Sequence, residues 1–217
     1  MEEKQITERE SLDLISKMIR TAQTEQKDNG MGWIIWGWML FLASILTLLN
    51  MRYNWLNPWF FWNAFGIFTI LVMMYETIVY LFFRKTRKVR TYTKDLFEKL
   101  NTGFFISLMF IIVAMNITVP GTEKDVHAIS PMYGFPLLMS LYAFWILIYG
   151  TALNFKPSII GAYITWAAAF VALFARNFDQ VMILHALGVL FGYIIPGHIA
   201  YMEFKKLHRK DKVTEGV

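Results

Sequence analysis

The chain has 217 residues, 56% of them hydrophobic and 17% aromatic, with a positive mean hydropathy and a net charge of +5. A soluble domain is nearer ~45 to 50% apolar, so this composition excludes that class and points to an integral membrane protein. The lack of Cys excludes disulfides, thiolate metal sites and cysteine nucleophiles. The basic residues fall between apolar runs rather than on one soluble face, which argues against a nucleic-acid partner.

Residues 1–30 read as a cytoplasmic amphipathic helix ahead of the membrane. Thr7 and Glu10 have the spacing of a capping box, in which hydroxyl and carboxylate satisfy the free amides of a helix start. From there to about Gln26, Leu12, Leu14, Ile15, Met18, Ile19 and Ala22 share one face at 100° per residue. The segment holds five basic against seven acidic residues. A helix made to lie on anionic lipid is rich in Lys and Arg, so a protein surface is the expected partner. No cleavable signal peptide is expected, because the first apolar run is of full span length and follows a charged segment.

Six apolar segments follow, at about 31–50, 59–83, 103–119, 131–153, 157–175 and 180–202. Each approaches the ~20 residues that cross a hydrocarbon core of about 30 Å as a helix, and none alternates like a barrel strand. The fold class is therefore all-α, a polytopic membrane protein with a six-helix transmembrane domain over 31–204 and a basic tail over 205–217. Lys and Arg are retained on the cytoplasmic side, and only Arg52, Lys124 and Arg176 fall in the alternate loops, leaving 18 of 21 on the other side. Both termini are expected to be cytoplasmic. Tyr92, Leu96, Phe97 and Leu100 recur at helical spacing, so the third span should extend below its apolar run. The outer loops, with turn material at Asn57-Pro58 and Pro120-Gly121, are too short for a folded external domain.

Few residues could carry chemistry. Glu76 is the one carboxylate deep in a span, about 12 Å inside the basic run that begins at Arg84. An unpaired charge there would cost roughly 2.5 to 3.5 kcal/mol. His198 lies at a similar depth before Lys205, so Glu76 and His198 are expected to meet between spans two and six as an intramembrane polar pair. The plainer reading of His198 is a lone imidazole bonded to a backbone carbonyl. Arg176, Asp179 and His185 form an expected polar group at the outer end of the last hairpin. Gly188 and Gly192 have the small-x-x-x-small spacing of close helix packing, and Pro196 with Gly197 suggests a kink or hinge. Trp33, Trp36 and Trp38, and Trp55, Trp59 and Trp62, read as two interfacial belts. Asn63 and Asn116 are expected to bond between helices. No catalytic or metal motif is present, and no cofactor is expected.

Leu14-Ile15, Met18-Ile19 and Ala22, then Trp36-Gly37-Trp38, and finally Gly192-Tyr193-Ile194-Ile195-Pro196-Gly197 resemble a family of uncharacterised bacterial inner-membrane proteins. The resemblance runs over nearly the whole chain. It implies six spans, an amphipathic N-terminal helix and the bacterial inner membrane as location, and it brings no activity, ligand or catalytic residue.

Two functions compete. The first is a non-enzymatic regulatory membrane protein whose acidic head, through Leu12, Ile15 and Ile19, docks on the basic loop at Arg84, Lys85, Arg87 and Lys88. The dock would be in the same chain, in a second copy as a homo-oligomer, or against a cytoplasmic protein partner. The alternative is a small proton-coupled transporter or channel using Glu76 and His198.

Overall fold

The computed structural model describes residues 30–57, 59–83, 92–116, 118–119, 126–127 and 130–214; within these, the side chains of 73, 76, 77, 79–83, 92–96, 98, 118–119, 126–127 and 207–214 lie outside the description. The fold is helical. Its elements are α1 (Met31–Tyr53), α2 (Phe60–Phe83), α3 (Tyr92–Asn116), α4 (Pro131–Ala152), α5 (Lys156–Ala172), α6 (Phe178–Val189), a π-helical turn (Leu190–Ile194) and α7 (Ile195–Thr214). One short antiparallel ladder, β1 (Thr118–Val119) with β2 (Val126–His127), adds to an otherwise all-helical expectation. Among the described residues, four segments are long and apolar enough to cross a membrane: Met31–Tyr53, Lys99–Asn116, Pro131–Ala152 and Phe178–Lys206. The chain thus has the helices of a multi-pass membrane protein.

α1 is central because one face of it is narrow. Gly37, Leu40, Ala43, Ser44, Thr47 and Asn50 recur at helical spacing and are all buried. That stripe meets α6 and the π-helical turn, while α2 packs on another side of α1. α1 ends where Asn54 takes a left-handed conformation (φ 52°) and its N–H closes on the Asn50 carbonyl. The Asn50 side chain holds the exit: its amide nitrogen donates to the carbonyls of Leu56 and Asn57, and its oxygen accepts the Leu56 N–H.

α4 and α5 form the tightest hairpin. α5 buries a face of small side chains, Ser158, Gly161, Ala162, Thr165, Ala169 and Ala172. Close approach replaces bulk as the source of packing. A Cβ at Gly161 would fall 2.5 Å from the Phe191 carbonyl oxygen, and one at Gly192 would fall 2.5 Å from Thr165 Oγ1. Gly188 and Gly192 sit at this crossing, where Thr165 Oγ1 lies 2.8 Å from the Gly161 carbonyl oxygen and 3.0 Å from that of Gly188 and shares its one proton between them.

The π-helical turn has a local cause. Pro196 has no N–H to offer the carbonyls one turn back, and its ring would crowd the Gly192 carbonyl in an α-helix. The chain widens instead, with the Ile195 N–H reaching back five residues to the Leu190 carbonyl. The helix then runs on without a break to Thr214, so the segment expected as a tail is helical over most of its length. α3 starts at Tyr92, well before 103, as the spacing of Tyr92, Leu96, Phe97 and Leu100 predicts.

Candidate binding site

α2 and α3 follow one another in the chain but separate in space. Among the described residues α2 packs on α1 and α3 packs on α4, with no substantial interface between them. The gap is a cavity of about 560 Å³ reaching from Trp59 and Asn116 at one end to Thr69 and Tyr142 at the other. Its rim includes Ile67 and Ile70 on α2 and Met109 on α3, all exposed apolar side chains. A second cavity of about 220 Å³ continues toward Trp33 and Asn101. Phe65, Thr69, Leu108 and Tyr142 line both and form a waist between them.

The side of the larger cavity that faces the bundle is one aromatic ring thick. Trp62, Phe135 and Tyr142 line it, and each also contacts the imidazole of His185 edge-on, with ring centroids 5.3, 5.7 and 5.9 Å away. His185 is 0% exposed. Its Nδ1 lies 2.8 Å from Ser44 Oγ, which itself lies 2.8 Å from the Leu40 carbonyl oxygen. A hydroxyl has one proton. Ser44 donates that proton either to the Leu40 carbonyl or to Nδ1, and the imidazole tautomer follows from which. Nε2 has no hydrogen-bond partner among the described residues, and neither has the buried Nε1–H of Trp62. Two adjacent rings therefore each hold a buried nitrogen with no hydrogen-bond partner among the described residues. Buried polar groups are almost always satisfied, so such a pair calls for an explanation.

Several sequence expectations take a different form here. His185 lies inside the bundle against Ser44, whereas Arg176 and Asp179 are exposed at the start of α6, the Arg176 N–H donating to Gln180 Oε1. Trp62 is half-buried against Phe135 and His185 rather than a belt anchor, because α2 turns that face toward the bundle. Trp33 likewise packs on Tyr149 and Tyr193. Asn116 returns its amide to the Ile112 carbonyl of its own helix instead of bonding across. His198 is exposed, with Nδ1 2.8 Å from the Ile194 carbonyl oxygen. α2, which carries Glu76, and α7, which carries His198, both pack on α1; the Glu76 side chain lies outside the described residues. So do Leu12, Ile15, Ile19, Arg84, Lys85, Arg87 and Lys88. Pro196 and Gly197 are buried where the last helix meets α1, a Cβ at Gly197 falling 3.2 Å from the Ile34 nitrogen. Among the described residues no cluster of His, Asp or Glu could hold a metal ion.

Ser44 was legible in principle. Ser44, Thr47 and Asn50 continue the helical spacing of Gly37, Leu40 and Ala43, and a polar row on the face that small residues mark as buried is a signal of interior hydrogen bonding. Comparison of the chain with protein-family models, curated proteins and solved structures gave no match.

Proposed function

We propose that this is a six-span protein of the bacterial inner membrane, with both termini cytoplasmic, that binds an amphipathic molecule in the cleft between α2 and α3 and passes its occupancy to a cytoplasmic partner. The observation that carries the reading is the separation of α2 from α3. Helices adjacent in sequence normally close on each other; these two lean on different neighbours and leave an apolar cavity rimmed by side chains suited to lipid. A molecule dissolved in the bilayer could enter from the side without crossing water. α2 and α3 are also joined by the basic segment at Arg84–Arg90, so a change in their spacing would be felt where the acidic head is expected to dock.

The test is photolabelling in reconstituted vesicles with a hexadecanol carrying a mid-chain diazirine. Labels should concentrate on α2 and α3, in preference to the equally apolar outer faces of α5 and α6. Gly66 lines the cavity and has nothing within 4 Å of a Cβ. G66W should fill the space and remove cleft labelling while leaving the fold intact. Labelling spread evenly over all lipid-facing helices would refute the reading.

A second reading, transport, is favoured by the waist. Phe65, Thr69, Leu108 and Tyr142 separate two cavities that together extend along much of the bundle. Such a path would use the waist rather than a Glu76–His198 relay. Transfer of the labelled chain between vesicle leaflets, stopped by L108W, would favour transport over static binding.

A further inference from the structure

We propose that the smaller cavity is an aromatic cage that binds a quaternary ammonium group. The inference goes beyond the cleft reading and does not depend on it. Nine of the fourteen described residues that line this cavity are aromatic, against 17% of the whole chain, so the enrichment belongs to the place and not to the composition. Trp33 and Trp36 come from α1, Phe104 from α3, Trp145 and Tyr149 from α4 and Tyr193 from the π-helical turn. Gly32 and Asn101 mark one end of the space, where the segments Met31–Tyr53 and Lys99–Asn116 begin. A cation in water meets the cavity at that membrane boundary.

The rings are also set in an uncommon way. Aromatic pairs favour stacked or edge-to-face contacts. Five ring contacts among the described residues are inclined instead, and four of the five join residues that line this cavity: Trp33 to Tyr149 at 46° and to Tyr193 at 37°, and Phe104 to Tyr142 at 44° and to Trp145 at 33°. Inclined rings leave part of each π face uncovered by its partner. A cation seated against those faces makes use of their negative quadrupole.

The charge chemistry selects the kind of cation. No Lys or Arg is among the described lining residues to repel one, and no Asp or Glu to pair with one. A primary ammonium is strongly hydrated and would bring N–H groups with no carboxylate to receive them. A quaternary ammonium spreads its charge over methyl groups and has no N–H to leave unsatisfied, so ring faces suffice to hold it. The volume of about 220 Å³ gives room for a trimethylammonium group with a short arm.

The experiment uses the whole protein in maltoside micelles, which carry no charge to gather cations, and a trimethylammonium probe with a diazirine on its short arm. Crosslinks should fall on the parts of α1, α3 and α4 that line the smaller cavity. Competition is then measured with choline, with the alcohol in which carbon replaces its nitrogen, and with ethanolamine. The first two share a shape and differ in charge, while choline and ethanolamine share a charge and differ in the methyl groups. Choline should compete roughly two- to thirtyfold better than the uncharged alcohol, the range for a cation against ring faces, and better than ethanolamine as well. W33L and W145L keep apolar bulk but lose a π face, so each should cut that advantage, whereas W33F should keep most of it.

The comparison of competitors on the unaltered protein does not depend on any variant folding. Equal competition by choline and the uncharged alcohol would show an apolar space among interfacial rings and would overturn the cage. Crosslinks spread over helices that do not line the cavity would overturn it too, as would an advantage unchanged in W33L and W145L alike. None of these results bears on the cleft reading, which stands or falls on hexadecanol labelling of α2 and α3.

Discussion

Ser44 Oγ on α1 and His185 Nδ1 on α6 lie 2.8 Å apart in the centre of the bundle, both residues fully buried, although 141 positions separate them in the chain. This bond joins the helix that α2 leans on to the helix behind the cavity wall. It ties the geometry of the cleft to the packing of the core.

Breaking that bond should be measurable as a coupling energy. In a double-mutant cycle of S44A and H185F, followed by unfolding in mixed micelles, the interaction should be about 0.6 to 1.7 kcal/mol, the range for hydrogen bonds between membrane helices. Strict additivity of the two single substitutions would show that the bond contributes nothing to the folded state.

Glycine substitutions should divide by location. G161A places a methyl 2.5 Å from the Phe191 carbonyl, which belongs to backbone and cannot turn aside, so a loss of about 1 to 3 kcal/mol is expected. G103A meets nothing within 4 Å and should gain up to about 1 kcal/mol from helix propensity. Comparable unfolding midpoints for the two variants would contradict the crossing described between α5 and the π-helical turn.

Asn50 should tolerate neither Ala nor Asp. Ala deletes all three bonds to Leu56 and Asn57, and an ionised Asp would face the two carbonyl oxygens that the amide nitrogen now serves. A loss of about 1 to 3 kcal/mol is expected for N50A, with faster hydrogen exchange at the Leu56 amide as the local signature. Unchanged exchange there would show that the loop holds its shape without the clamp.

The chain contains no Cys, so single cysteines report topology directly. With six spans and both termini inside, R52C, K124C and R176C should react with an impermeant maleimide on intact cells, and K156C only after the membrane is opened. Outside labelling of K156C would require a different number of spans.

Removing Pro196 should relax the π-helical turn. P196A restores the N–H whose absence excludes an α-helical bond to the Gly192 carbonyl, and the last helix should regain regular hydrogen bonding across Leu190–Ile194. The check is a shift in spin-label distance between the start of α6 and the end of α7. An unchanged distance would place the cause of the widened turn in the crossing with Gly161 instead.

The sequence by itself determined that the chain is a bundle of long apolar helices, and it located most of their ends. Length and hydropathy act residue by residue, and the requirement that every backbone amide be satisfied inside lipid leaves helices as the local answer to a long apolar run. The extension of α3 back to Tyr92 was readable for the same reason, since helical spacing is a local property. Tertiary structure alone decided which polar groups meet. His185 stood out as an ionisable residue in a span, yet its partner Ser44 is a small hydroxyl in another span, and Trp62 looked like any aromatic near a membrane boundary. Local pattern can mark a face as polar or small, but which faces meet depends on how close the backbones can come. Here that was set by Gly161 on α5, by Gly192 in the π-helical turn and by Gly37 on α1, where a Cβ would fall 2.8 Å from Ile194 Cγ1. Those contacts pull α1, α5 and α6 together and leave α2 and α3 apart, and the cleft is the space that results.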